Sequence, residues 1–436
     1  MKKILFITYY WPPSGGAGVQ RSLKFVKYLP DFGIDPFVLT VDERYASYPL
    51  WDEALSKEIP ENIKVFKSKS IEVLKMLSLF TKKENIPHGG FANSNKEKLF
   101  QKILRFLRGN LFIPDARIGW IRFAEKAAAG IIKKEKIDTV FISSPPHSSQ
   151  LIGLRLKKKF NIRLIADLRD PWTDIYFYKD LLHTKRAAAK DAKYELEVLN
   201  YADEVITVSA PIMEIFLKKK STLSHAKFHI LPNGYDESDF QNIVKPVENL
   251  FCITYVGSIA DSYKPDVFFE ILGKVVNEFG KVNFRMRFVG SMPESIKQKI
   301  NTYHLNGITE FVSQVSHNQA IQFMQESTIL LLLIPEVPNN DGILTGKLFE
   351  YLASRRPVIG LGPVGGEASA ILNECEAGKM FSRKDSECLY SYLKLLILKW
   401  QQENDFVVTN EKYFKYSRKT LAKNLASIIL EVPKKI

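Results

Sequence analysis

A lysine and a glutamate three residues apart stand at a helix start in "DGILTGKLFEYLASRRPVIG", residues 341–360. Thr345 and Gly346 read as the entrance, and Leu348, Phe349, Tyr351 and Leu352 supply a wide apolar face. Lys347 then falls in the first turn, where the macrodipole disfavours a cation by about 0.3–1 kcal/mol. Glu350 follows one turn on, close to the same face. The bland alternative is a solvated ion pair on a surface helix. A second candidate is the loop "WPPSGGAGVQRS", where Gly15, Gly16 and Gly18 follow a strand and open a helix, so backbone amides can approach an anion. It does not satisfy G-x-G-x-x-G, because Arg21 occupies the third glycine position, and this disfavours a nicotinamide or flavin site. Cys252, Cys375 and Cys388 are too scattered for a disulfide framework or a metal cluster, and no persuasive D-x-D motif appears.

The elements that must carry these residues alternate along the chain. "KKILFITYY", "IDPFVLTV", "DTVFISSPP", "RLIADLRD" and "EVITVS" read as strands, each followed by a helical or loop segment. After "LPNGYDESDF" a second series begins with "FCITYVGS", "FRMRFVGS", "ITEFVSQV", "TILLLLIP" and "PVIGLG". Strand–helix alternation predicts parallel sheets covered on both faces. The expected fold class is α/β: two doubly wound, Rossmann-like domains with the active cleft between them at the carboxyl ends of the strands. The expected boundaries are 1–240, 241–410 and a helical tail, 411–436, packing back on the first domain. The 436 residues carry a net charge of +14, which suits an anionic partner such as nucleic acid, a membrane surface or a phosphorylated small molecule. No zinc-finger spacing or RNP-like motif supports nucleic acid. The longest apolar run, "ILLLLIP", is too short to span a bilayer, and the N-terminus reads as a buried strand; a cytoplasmic protein is expected.

Four stretches in order resemble glycosyltransferase family 4: "SGGAGVQRSLKFVKYLPDFGIDPFVLT", "ADEVITVSAPIMEIF", "LPNGYDESDF" and "GKLFEYLASRRPVIG". Members have the GT-B fold of two facing Rossmann-like domains. The resemblance implies that the 346–353 helix points its N-terminus at the diphosphate of a nucleotide-sugar donor. Thr345, Gly346 and Lys347 would cradle the diphosphate, and Glu350 would take the ribose hydroxyls. A bound diphosphate resolves the lysine's position, since dipole and cation then act on one anion. Gly15 and Gly16 would contribute on the substrate side. Relatives often carry a first glutamate eight positions before the second; here Gly342 stands there, beside Asp341. "YVGSIADSYKPD" has Ser258 where relatives have arginine, while Lys264 is placed in the lysine role.

In "LIADLRDPWTD", Arg169 occupies the position of a family histidine and Asp170 follows; both are catalytic candidates, against the alternative that Asp170-Pro171 only shapes a turn. His147, in "SSPPHSSQ", is a candidate for lining the acceptor cleft. The resemblance implies sugar transfer with retention, without metal or cofactor, from a nucleoside-diphosphate sugar to a saccharide or lipid-linked acceptor in surface polysaccharide biosynthesis. No carboxylate pair identifies a covalent nucleophile, so departure and attack on one face are expected. A nucleotide-sugar epimerase and a non-catalytic nucleotide-sugar binder are the alternatives. Finally, "KEKLFQKILRFLRGNLF" (96–112) reads as an amphipathic helix, with Leu99, Phe100, Ile103, Leu104, Phe106 and Leu107 on one arc and Lys98, Lys102, Arg105 and Arg108 opposite. Such a helix suits an anionic membrane interface, or the sheet with its basic face solvated.

Overall fold

The computed structural model describes residues 1–72, 99–242, 244–247, 249–280, 283–403 and 407–431. The loop expected at 81–98 and the start of the 96–112 helix lie outside them. The chain forms two compact units: Met1–Asn233 with the segment from Arg418 onward, and Gly234–Ser417. The breaks thus fall at 233/234 and 417/418 instead of 240/241 and 410/411.

Unit one holds β1 (Lys2–Ile7), β2 (Ile34–Val41), β3 (Lys64–Ser68), β4 (Thr139–Ser144), β5 (Arg163–Leu168), β6 (Glu204–Thr207) and β7 (Phe228–Ile230). They form one sheet in the order β3-β2-β1-β4-β5-β6-β7, parallel throughout. Its helices are α1 (Ala17–Tyr28), α2 (Leu99–Leu111), α3 (Ile121–Glu135), α4 (Ser148–Lys159), α5 (Lys185–Tyr201) and α6 (Ala210–Leu217). The central strands are buried along most of their length because helices cover both faces, which is why they read as continuous apolar runs.

Unit two repeats the plan with β8 (Phe251–Val256), β9 (Phe284–Val289), β10 (Thr309–Val312), β11 (Ile329–Leu333), β12 (Val358–Leu361) and β13 (Gly378–Phe381). Their order is β10-β9-β8-β11-β12-β13, again all parallel. The helices are α7 (Asp266–Phe279), α8 (Glu294–Thr302), α9 (His317–Gln325), α10 (Gly346–Ala353), α11 (Glu367–Glu374) and α12 (Ser386–Glu403). In each sheet the order reverses once, between β1 and β4 and between β8 and β11. Ligands of doubly wound sheets bind outside the carboxyl ends of the strands at such points.

The last helix, α13 (Arg418–Leu430), returns to unit one. Leu421, Leu425 and Ile429 enter the same apolar cluster as Val19, Leu23, Phe141 and Ile165. Arg21, which spoils the dinucleotide fingerprint, is buried: it pairs with Asp167 at 2.8 Å and donates to the Pro232 carbonyl at 2.7 Å. It therefore fastens α1 to the end of β5 and to the chain leaving the unit.

Candidate functional site

In unit two the site is built at the β8/β11 reversal. The chain leaves β8 through Gly257, whose φ of +112° suits glycine, and a Cβ there would lie 2.5 Å from Lys347 Cε. The lysine side chain thus lies directly beneath the loop after β8. Its Nζ donates to the Tyr255 hydroxyl at 2.7 Å and stands 4.3 Å from the centre of that ring. The Tyr255 hydroxyl donates in turn to the Ser258 carbonyl at 3.0 Å. Burial pulls the Lys347 ammonium down to about 8, with Glu350 opposing the shift. Among the described residues no carboxylate forms an ion pair with it.

The entrance of α10 adds an unused group. Thr345 is its N-cap residue, yet its side chain makes no capping bond, and its buried hydroxyl has no hydrogen-bond partner. The helix has no acid in its first turn. A cation, an unsatisfied hydroxyl and a helix N-terminus therefore stand within three residues of one another, an arrangement whose chemistry suits an anion. Glu350 is half-buried on the same helix, and His317 Nε2, from the start of α9, lies 4.0 Å from it and 3.2 Å from Asp239. Sequence reasoning missed both Tyr255 and His317. Tyr255 reads as an ordinary strand aromatic, and nothing in the spacing connects His317 to a helix thirty residues later. Lys264 is placed differently from its expected role: exposed, with its Nζ on Glu336 at 2.6 Å.

In unit one, a cavity of about 220 Å³ opens beside the ends of β4 and β5. His147 and Asp170 line it together, with Asp115, Trp172, Tyr178 and Asp191. His147 stacks on Trp172 with centroids 4.5 Å apart; burial, and secondarily Arg169, lower its imidazole to about 3. It is therefore neutral at working pH, and its Nδ1 is buried without a partner. Burial raises the Asp170 carboxyl against the opposing charge of Arg169. Asp191 accepts from Trp172 Nε1 at 2.8 Å and from the Tyr178 hydroxyl at 2.9 Å, and burial pushes it up to about 6. Rings and carboxylates in this arrangement suit sugar hydroxyls. Asp191 and Tyr178 carry no motif and gain meaning only from the fold.

Two expectations change here. Arg169 does not line the cavity. Its Nε donates to the Ser144 carbonyl at 3.0 Å, and its guanidinium fills the space beside Gly18, where a Cβ would lie 2.6 Å from Nη1. Gly15 does not offer its amide to an anion, because that N–H donates to the Leu50 carbonyl at 3.0 Å. Gly16, at φ +103°, is the N-cap residue of α1. The amphipathic helix is also turned unexpectedly: Ile103 and Phe106 are exposed, whereas Arg105 and Arg108 are half-buried. Arg108 lines the cavity, and Asn110 at the end of the helix ties it to the neighbouring segment, donating to the Leu182 carbonyl at 3.0 Å and accepting from the Thr184 amide at 2.7 Å. The described residues contain no cluster of metal-ligating side chains and no helix long and apolar enough to cross a membrane.

Two parallel, doubly wound sheets, each with a polar site beyond the carboxyl ends of its strands, are the two Rossmann-like domains of a GT-B fold. Residues 87–239 match the family model described as Glycosyltransferase Family 4, which bears out the resemblance carried by the sequence. A glycosyltransferase from Rickettsia africae is similar in fold, with a TM-score of 0.64 at 15% identity, over 100% of this chain and 99% of that one. Anabaena HepE, solved in complex with UDP, gives 0.57 at 14% identity, over 98% and 95%. WaaG, a glycosyltransferase involved in lipopolysaccharide biosynthesis, gives 0.56 at 14%, over 98% and 100%. No curated protein matches the chain in sequence.

Proposed function

We propose that the chain transfers a sugar from a nucleoside-diphosphate sugar to a saccharide or lipid-linked saccharide, with retention of configuration, in the assembly of a surface polysaccharide. The observation that carries this reading is Lys347, desolvated under Gly257 beside the partnerless Thr345 hydroxyl at the N-terminus of α10. A diphosphate satisfies all three at once. The leaving group departs as an anion, so stabilising charge on its phosphate oxygens lowers the barrier. Lys347, Thr345, the Gly346 amide and the helix dipole do this here, and Glu350 accepts the ribose hydroxyls. The UDP bound to the Anabaena protein and the pathway of WaaG support a nucleotide donor and a surface glycan, respectively.

The unit-one cavity holds the acceptor. Its rings cover the apolar faces of a sugar, and Asp170, with its carboxyl held up by burial, bonds the attacking hydroxyl. Arg169, the residue before Asp170, ties the chain leaving β5 to the turn after β4 through the Ser144 and Pro145 carbonyls, and so positions Asp170. Protein groups carry the donor's charge, so the reaction runs without a divalent ion. The protein works at an anionic membrane face reached through the 96–112 helix. Incubating the purified chain with labelled nucleotide sugars and a panel of saccharide and lipid-linked acceptors, with and without chelator, tests the reading. Transfer that survives chelation supports it. An altered donor formed without acceptor would instead mark an epimerase, and donor binding without turnover a non-catalytic binder.

A further inference from the structure

Glu350 has a histidine and a second acid beside it, each carried on fixed backbone. Asp239 lies in the single turn Glu237–Phe240, which the Asp236 side chain caps by accepting from the Ser238 amide at 3.0 Å and the Ser238 hydroxyl at 2.8 Å. Phe240 anchors the far end of that turn, its ring edge-on to buried Tyr235 with centroids 5.8 Å apart. His317 is the first residue of α9, where Ser316 and Gln319 satisfy one another's backbone amides in a capping box. Asp239, His317 and Glu350 expose 18%, 31% and 17% of their side chains, so their charges and dipoles act on one another with little screening by solvent.

The histidine faces both carboxylates with one nitrogen. Its Nε2 is 3.2 Å from Asp239 Oδ2 and 4.0 Å from Glu350 Oε1. An ionised carboxylate only accepts, so the hydrogen bond to Asp239 puts a proton on Nε2. The positive end of that N–H then lies against Glu350 as well. At 4.0 Å it attracts the carboxylate without taking up an oxygen lone pair. Lys347 stands one helical turn back from Glu350, and its ammonium is favoured by the same carboxylate. Glu350 is thus drawn from two sides. Without the imidazole, Asp239 and Glu350 would meet as like charges across the space it fills.

Resting on the donor reading of α10, we infer that His317, oriented by Asp239, is a positioning residue that sets the Glu350 carboxylate for the vicinal hydroxyls of a ribose, so that the site selects ribonucleoside over 2′-deoxyribonucleoside diphosphates. A glutamate side chain turns about three bonds, and meeting two adjacent hydroxyls with two oxygens requires all of them to be set. A glutamate whose task is only to balance Lys347 gains nothing from an imidazole at this distance, which competes for the same charge.

The test titrates the full chain calorimetrically with UDP, GDP and ADP, then with the 2′-deoxy form of whichever binds tightest. The unsubstituted protein should favour the ribo form by at least about tenfold, and Glu350→Ala should bring that ratio to about one. His317→Ala should lower it to about threefold or less by weakening the ribo form, while the deoxy form binds within about twofold of its original affinity. His317→Gln, which returns an N–H donor near the place of Nε2, should restore most of the ratio. Asp239→Ala reaches the imidazole from the other side and should lower the ratio by about threefold. If the alanine variants at 239 and 317 keep the full ratio, Glu350 is set without them and the inference is overturned. It is overturned equally if they lose both forms alike, since that marks a structural role or a direct contact with the rest of the nucleotide. Failure of all three diphosphates to bind, or an unchanged ratio in Glu350→Ala, puts the donor reading itself at fault, and the inference falls with it.

Discussion

The two sheets share a topology and carry different chemistry beyond the carboxyl ends of their strands. Unit two gathers a desolvated ammonium, a helix N-terminus and an unsatisfied hydroxyl, a set that suits an anion. Unit one gathers buried carboxylates against stacked rings, a set that accepts hydroxyl hydrogens. The comparison shows that a doubly wound sheet supplies a place for a ligand and leaves its polarity to a few side chains on the helices and connections beyond the strand ends.

The contrast is broken most directly in unit two. Lys347→Ala and Glu350→Ala should each lower turnover by about 100-fold or more with unchanged circular dichroism, since the proposed function sets the lysine against charge formed in the transition state and the glutamate on the donor's ribose. Turnover at the level of the unsubstituted protein in both would remove the donor site from α10. In unit one, Asp170→Asn should reduce turnover by about tenfold to 100-fold and leave donor affinity in a binding titration unaltered. A parallel loss of donor affinity would mean that the two chemistries are not divided between the units as described.

Stability should respond in the opposite direction to activity. The folded ammonium titrates near 8, below the ordinary lysine value of 10.5, so the unfolded chain binds more protons between those values and stability rises with pH across that window. Lys347→Met removes a desolvated charge, so it should raise Tm by about 2–4 °C at pH 7. That gain should shrink as pH climbs from about 8 toward 10.5, which scanning calorimetry over a pH series would follow. Donor affinity in the unsubstituted protein should fall over the same range. A Lys264→Ala change gives the smallest effect, at most about threefold in turnover, because this exposed side chain is already engaged by Glu336. A larger loss would restore the lysine to the donor site.

Much of this was legible before any coordinates. Runs such as "IDPFVLTV" matched their strand to the residue, because a strand buried on both faces leaves a largely apolar signature even with Asp35 and Thr40 within it. Lys347 stood out because a cation at a helix start contradicts a local electrostatic preference. The short edge strands β3, β7 and β13 lacked that signature: exposed and half-buried positions interrupt the apolar pattern. The unit-one cavity was only half readable. His147 and Asp170 follow strands, but Trp172, Tyr178 and Asp191 meet through contacts that no sequence spacing encodes. The orientation of α2 was illegible for a related reason: periodicity gives two faces of a helix and does not say which one turns inward.

The return of α13 to unit one has a consequence for the order in which the molecule is made. A ribosome releases the sheet of unit one first, yet the cluster of Val19, Leu23, Phe141 and Ile165 receives Leu421 and Leu425 only after all of unit two has emerged. Unit two, whose residues are contiguous, can complete its own core during that interval. The earliest part of the chain is therefore the last to be sealed, and a nascent chain stalled before Arg418 carries an open apolar groove along α1, a natural target for chaperones during synthesis.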